Sequence, residues 1–232
     1  MSKKHPDMVI VLRIGGSIVA SPTNPRLIGK YAELLQDLGT KGHKVIVVVG
    51  GGALARQFIR VGGELGLTED AQDWLAIEVS RLYALLFTLK LDADGRENIS
   101  TSIDEALKTL KKRNIVVLGG LKPGMTTDTV AALIAQKIKA QLLVKATDQE
   151  GIYTKDPKKY PDAKKLDKIT FKDLAQFLTQ NRHKAGIHQI LDPIAVKILQ
   201  EAKIKTIIVN GFNPENIQRA IEGEEIGTTI TE

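Results

Sequence analysis

The chain contains no cysteine. That removes disulfide frameworks, cysteine-ligated zinc and thiol nucleophiles together. Aromatic residues make up only 4% of the chain, too few for the stacking platforms that bind single-stranded nucleic acid. Long apolar runs are missing as well. Residues 8–12 and 45–49 are of interior-strand length, far below the roughly 20 residues a membrane helix requires. Met1-Ser2-Lys3-Lys4-His5-Pro6 carries charge with no small-residue cleavage pattern behind it, so no signal peptide is expected and the chain is placed in the cytoplasm. Both common glycine signatures of nucleotide sites, Gly-x-x-x-x-Gly-Lys-[Ser/Thr] and Gly-x-Gly-x-x-Gly, are absent. A Walker-type ATPase and a dinucleotide enzyme are thereby excluded.

What remains is an ordinary soluble composition, 43% hydrophobic and 26% charged. The 232 residues suit one large α/β domain or two small lobes around a shared sheet. A net charge of +6 accords with polyanionic ligands. The lysines are spread rather than massed, and Lys111-Lys112-Arg113 and Lys164-Lys165 read as solvated surface, so nucleic acid is not expected as a partner.

Three β-branched apolar runs lead straight into glycine turns: residues 8–14 into Gly15-Gly16-Ser17, residues 45–49 into Gly50-Gly51-Gly52, and Ile115–Leu118 into Gly119-Gly120-Leu121-Lys122-Pro123-Gly124. In a parallel sheet these turns leave the same edge. Their backbone N–H groups and helix N-termini then form one anion-binding surface able to hold more than one phosphate.

Helical spacing over residues 25–38 is broken by Gly39 and Gly42, and further helices are expected over 54–65, 71–90, from Ser102 as cap to about Lys111, 127–139, 170–178, 191–202 and 214–221. The length and apolarity of 71–90 point to burial, including at a subunit contact. Strands are expected at 141–145 and 206–209, a short run follows at Ile152-Tyr153-Thr154, and residues 181–188 read as a polar, mobile segment. Alternating strands and helices imply βαβ units and a mostly parallel sheet.

Six groups of residues, in order along essentially the whole chain, resemble the amino acid kinase family and most closely its archaeal-type UMP kinase branch. They are Arg13-Ile14-Gly15-Gly16-Ser17; Gly50-Gly51-Gly52 with Ala55-Arg56; Asp73 with Ser80-Arg81; Gly119-Gly120 with Pro123-Gly124 and Thr126-Thr127-Asp128; Ala146-Thr147 with Gly151-Ile152-Tyr153 and Asp156-Pro157; and Leu191-Asp192-Pro193 with Lys197. The resemblance implies a three-layer α/β/α sandwich around a mainly parallel sheet, the carbamate kinase-like fold. A single domain spans 1–232, with an acceptor lobe over about 1–140 and an ATP lobe over 141–232. The implied activity is transfer of the ATP γ-phosphoryl to UMP with Mg²⁺, giving UDP and ADP. The implied assembly is a homo-oligomer, a hexamer built as a trimer of dimers.

The same resemblance assigns roles. Arg13 and Asp128 are catalytic, the arginine as a cation beside the transferring phosphoryl and the acid as an organiser of nearby cations rather than a base. Arg13, Ile14, Gly15, Gly16, Ser17, Gly52, Arg56, Thr147, Asp148, Tyr153 and Asp156 fall on the ATP side. Gly51, Asp73 and the loop Leu121, Lys122, Pro123, Gly124, Met125, Thr126 and Thr127 fall on the UMP side, with Asp73 accepting from ribose hydroxyls. No protein metal site is expected.

The chain departs from the family at several places. Thr147-Asp148-Gln149-Glu150-Gly151 stands where Thr-Asn-Val-Asp-Gly is usual, so Asp148 repels the triphosphate unless it turns away or holds Mg²⁺. Lys145 stands where archaeal relatives usually have an apolar residue, and either compensates that charge or points elsewhere. Tyr83 replaces a common asparagine. Two other readings stay open. One is a kinase of another small phosphate such as isopentenyl phosphate, which the lack of a histidine between His43 and His183 disfavours. The other is a non-catalytic nucleotide-binding paralogue, kept open by Asp148 and Glu150.

Overall fold

The computed structural model describes residues 7–93, 95, 99–180 and 190–232. The N-terminal residues 1–6 and the polar segment 181–188 lie outside the described residues. In chain order the elements are β1 (Val9–Ile14), α1 (Gly16–Val19), α2 (Pro25–Thr40), β2 (Lys44–Val49), α3 (Gly52–Glu64), α4 (Glu69–Leu91), α5 (Ile103–Lys112), β3 (Ile115–Leu118) and α6 (Thr127–Ile138). They continue through β4 (Leu142–Thr147), β5 (Ile152–Tyr153), β6 (Lys165–Leu166), β7 (Lys168–Thr170), α7 (Phe171–Gln180), α8 (Pro193–Glu201), β8 (Thr206–Asn210), α9 (Glu215–Ile221) and β9 (Thr228–Thr231).

One sheet runs in the order β3-β2-β1-β4-β8-β9-β7, while β5 and β6 form a separate antiparallel pair. The first five strands are parallel, β9 lies antiparallel to β8, and β7 lies parallel to β9. Strand alternation divides the core into two layers. Ile10, Leu12, Ile14, Val45, Val47, Val49 and Val144 face α2, α4 and α9. Val11, Ile46, Val48, Leu143 and Ile208 face α5, α6, α7 and α8. The result is the expected three-layer α/β/α sandwich, its seven-stranded sheet shared by both halves of the chain.

Chain order along the sheet reverses at β1. From it the chain runs outward through β2 and β3 on one side and through β4 and β8 on the other. A parallel sheet opens a ligand crevice beyond the carboxyl ends of its strands at such a reversal. All three glycine turns leave that edge.

Several boundaries differ from expectation. Helix α2 passes through Gly39 and ends at Thr40; Gly42, at φ +93°, makes the actual break. Helix α3 starts at Gly52 rather than residue 54, because the second glycine turn winds directly into it. Strand β4 continues to Thr147, since parallel pairing with β8 carries Ala146 and Thr147 beyond the expected turn. Strands β6, β7 and β9 were not legible. They are two to four residues long, and their pairing is set by distant partners rather than by local pattern.

Candidate active site

The first two glycine turns meet backbone to backbone. A Cβ on Gly16 would lie 2.2 Å from the Gly52 nitrogen, and one on Gly52 would lie 2.4 Å from the Gly16 carbonyl oxygen. Gly52 also has φ +60°, which a side chain strongly disfavours. These two glycines are therefore required by the packing of one turn on the other, before any ligand arrives. Main-chain hydrogen bonds fix the same edge: Gly15 N–H donates to Ala146 O at 2.9 Å, and Gly50 N–H donates to Ile14 O at 3.1 Å.

The third turn is held by α4. Ser80 Oγ accepts from Gly120 N–H at 2.7 Å and donates to Ile77 O at 2.7 Å. The Arg81 guanidinium donates to Gly120 O and Leu121 O, both at 3.1 Å, while lying 5.7 Å from the Trp74 ring centroid. Asp73 Oδ2 accepts from Gly124 N–H at 2.8 Å. One oxygen of the expected ribose acceptor is thus already engaged by the loop. Sequence reading placed Ser80 and Arg81 in a motif without a role; their contacts make them the fasteners of this loop.

Between the turns lies a cavity of about 720 Å³. It gathers Arg13, Gly15, Gly16, Ser17, Gly51, Gly52, Arg56, Asp73, Lys122, Met125, Thr126, Thr127, Asp128, Thr147 and Asp148 from the expected site, and adds Ile59, Ile77, Ser80 and Lys145. Ile14, Leu121, Pro123, Gly124, Tyr153 and Asp156 are not among its walls. Ile14 is fully buried in the core. Tyr153 pairs with Lys165 in the small β5–β6 ladder, and Asp156 Oδ1 accepts from Lys158 N–H at 3.0 Å to close a turn. Tyr83 also lies away from the cavity: it is buried and shares a hydrogen bond of 2.5 Å with Thr23, so this departure alters the core rather than the site.

Strand register explains the buried charge at the cavity floor. Arg13 and Lys145 are direct partners across β1 and β4, on the face that carries Val11 and Leu143. From α6, Asp128 meets both: Arg13 Nε lies 2.7 Å from Oδ1 and Lys145 Nζ 2.5 Å from Oδ2. Arg13 Nη2 also donates to Thr127 Oγ1 at 2.7 Å. Burial disfavours ionisation of Asp128, yet Lys145 and Arg13 outweigh it and hold the carboxyl below its ordinary range. Burial, only partly offset by Asp128, lowers the Lys145 ammonium. Lys145 thus points at Asp128, and does not compensate Asp148 as one expectation had it.

The first turn of α6 is anchored from α8. Asp192 caps α8 by accepting from Ala195 N–H at 2.9 Å, and accepts from Thr126 Oγ1 at 2.5 Å and Thr129 Oγ1 at 3.0 Å. Thr126 Oγ1 in turn accepts from Thr129 N–H to cap α6.

Two cavity cations stay uncommitted. Among the described residues no carboxylate lies within ion-pair reach of Arg56 or Lys122, and both are exposed to the cavity. Arg56 is one helical turn past Gly51–Gly52, where its guanidinium can fork onto phosphate oxygens. Asp148 is faced by Lys158, its Nζ 3.5 Å from Oδ2. Glu150 accepts from Asn210 Nδ2 at 2.6 Å. Among the described residues no three acidic or histidine side chains gather as a metal centre.

The model of the amino acid kinase family matches residues 8–210. The uridylate kinase of Methanothrix thermoacetophila is 40% identical over 223 residues, covering 96% of this chain and 99% of its own. That of Methanococcus maripaludis is 41% identical, covering 97% and 100%. The crystal structure of uridylate kinase from Archaeoglobus fulgidus superposes with a TM-score of 0.86 at 35% identity, over 96% of this chain and 99% of that one. The UMP kinase structure from Bacillus anthracis, at 19% identity and a TM-score of 0.80, shares the fold. With its motifs in register, its turns at one sheet edge and its relatives matched end to end, the chain belongs to the amino acid kinase family.

Proposed function

We propose that this protein is a UMP kinase that transfers the γ-phosphoryl of ATP to UMP, giving UDP and ADP. The observation that carries the reading is the single cavity walled by three glycine turns and floored by the Arg13–Asp128–Lys145 cluster, in a chain about 40% identical to uridylate kinases over nearly its full length. Among the described residues no histidine lines the cavity, which gives the isopentenyl phosphate reading no support.

Phosphoryl transfer asks the protein for positioning and charge stabilisation rather than covalent work. The turn Gly15–Gly16–Ser17 and Arg13 address the group in flight. Arg56 and Gly52 take the donor phosphates, and Gly51, Asp73 and the loop from Leu121 to Thr127 take UMP. Asp128 has both oxygens committed to cations, so it orients them and is a poor proton acceptor. Thr147, Tyr153 and Asp156 address the nucleoside of ATP, with Tyr153 and Asp156 outside the phosphate cavity. Residues 1–140 then supply the acceptor lobe and 141–232 the ATP lobe.

Mg²⁺ fits this donor set as a partner of ATP. It keeps several waters and takes one or two carboxylates together with phosphate oxygens. Asp148, in the cavity wall and paired at 3.5 Å with the exposed Lys158, is the carboxylate that would take part, and the ion would neutralise charge on the triphosphate.

A homo-oligomer, as a hexamer of three dimers, is part of the same proposal. Helices α3 and α4 each leave an apolar stripe in solvent, Phe58, Val61 and Leu65 beside the first and Leu82, Leu86 and Leu89 on the second, and such surface marks an interface. No described helix is long and apolar enough to cross a membrane. Phosphorus NMR of protein with Mg-ATP and UMP tests the activity: β-phosphate signals of UDP and ADP must grow together, and UMP left intact while ATP persists contradicts it.

A further inference from the structure

Lys145 is the only buried lysine among the described residues. On its face of the sheet Leu143 and Ile208 are apolar while Thr147 and Arg13 are polar, and an apolar residue in its place would avoid the desolvation that a buried ammonium incurs. What the cation does must therefore be sought in its contacts.

Those contacts are selective. Lys145 occupies Oδ2 of Asp128, leaving Oδ1 to Arg13 through Nε alone. Arginine and carboxylate left to themselves favour a two-pronged pairing. Here Arg13 Nη2 donates to Thr127 Oγ1 at 2.7 Å instead. The remaining nitrogen, Nη1, is left beside the first glycine turn, 3.2 Å from where a Gly15 Cβ would stand. The groups facing Lys145 are Arg13 on β1, Asp128 on α6 and, at longer range, Asp192 at the start of α8.

We propose that Lys145 is a positioning residue for phosphoryl transfer: by holding one oxygen of Asp128 it restricts Arg13 to a single-pronged pairing and keeps the guanidinium against the Gly15–Ser17 turn. Lys145 acts through Asp128 and does not grip substrate. The inference rests on the phosphoryl-transfer reading above.

Lys145→Met is the direct test, since it keeps the aliphatic stem and leaves Arg13 and Asp128 to neutralise each other. It lowers kcat by roughly 10-fold or more while the KM values for ATP and UMP stay within about threefold. In an Asp128→Asn background the same substitution changes kcat by less than about twofold, because the two act as one unit. Carboxyl NMR of the unliganded protein shows Asp128 titrating higher in Lys145→Met than in wild type, because one of its two cations is gone. Lys145→Arg, which restores a cation, brings the titration back toward the wild-type value and guards against a folding defect in the methionine variant. Additive losses in the double variant, a large rise in the KM for ATP with kcat unchanged, or an unmoved Asp128 titration each overturn the proposal. Wild-type protein unable to phosphorylate UMP sinks the functional reading instead, and the titration still reports on the Lys145–Asp128 link.

Discussion

Asp128 and Lys145, one on a helix and one on a central strand, meet at 2.5 Å with both side chains almost wholly buried. Arg13 completes a cluster of two cations around one carboxylate, so removing the acid is far more costly than removing either base. Asp128→Asn leaves two buried cations unpaired, and the expected loss is about 3–5 kcal/mol of stability together with a large fall in kcat. The KM for UMP moves little, because both oxygens of the acid are taken by Arg13 and Lys145. Denaturant unfolding and steady-state kinetics on the same preparation check this, and equal loss of turnover and UMP affinity would make Asp128 merely structural.

The same cluster gives a signed pH dependence. The folded protein holds the Asp128 carboxyl below its ordinary range, through Lys145 and Arg13 acting against burial. Its contribution to stability is therefore fully present above the unfolded aspartate value of about 3.9 and is lost as pH falls through the lower folded value. Stability measured from pH 7 into acid must fall less steeply in Asp128→Asn than in wild type. Parallel curves would contradict the assignment.

The glycine turns make a packing prediction that separates two glycines of similar appearance in sequence. Gly16→Ala drives a methyl into the Gly52 backbone at 2.2 Å, with an expected cost of about 1–3 kcal/mol or more and loss of activity. Gly124 has open space around its missing Cβ but φ +73°, so Gly124→Ala costs only the left-handed backbone penalty, about 1 kcal/mol. Thermal melts of both variants decide it, and equal destabilisation would refute the turn-on-turn contact.

Arg81 fastens the acceptor loop by two carbonyls and rests on Trp74. Arg81→Ala is expected to raise the KM for UMP by roughly 10-fold and to leave that for ATP within about twofold. Arg81→Lys should not rescue it, because a point ammonium cannot replace a planar fork stacked on a ring. A selective effect on ATP would break the link to the UMP side.

Asp148→Asn tests the remaining departure from the family. If the carboxylate takes part in holding Mg²⁺, the variant binds Mg-ATP more weakly and needs more Mg²⁺ for half-maximal rate. Tighter ATP binding instead would show that the charge only repels the triphosphate.

Much of the site was legible because its residues carry local constraints. Glycines after apolar strands, Ser102 before its helix and Asp192 followed by Pro193 announce turns and caps whatever the fold around them. Contacts between distant segments were not legible. Strand alternation puts Lys145 on one face of β4, yet which face meets Asp128 depends on how α6 crosses the sheet. The fastening of Gly120 and Leu121 by Arg81 spans separate elements and leaves no mark in local sequence. Helix α4 was expected to be buried through its length and apolarity. It packs one side on the core with Phe87 and Ala84 and leaves Leu82 and Leu86 outside, because an apolar helix does not say by itself what covers its second face.

The most direct test of the account is a panel of acceptors, UMP, CMP, AMP and isopentenyl phosphate, offered to the purified protein with Mg-ATP and scored by coupled ADP release. The account predicts that UMP has the highest kcat/KM of the panel. No acceptor-dependent ADP release with UMP, or a higher kcat/KM for any other acceptor, would contradict it.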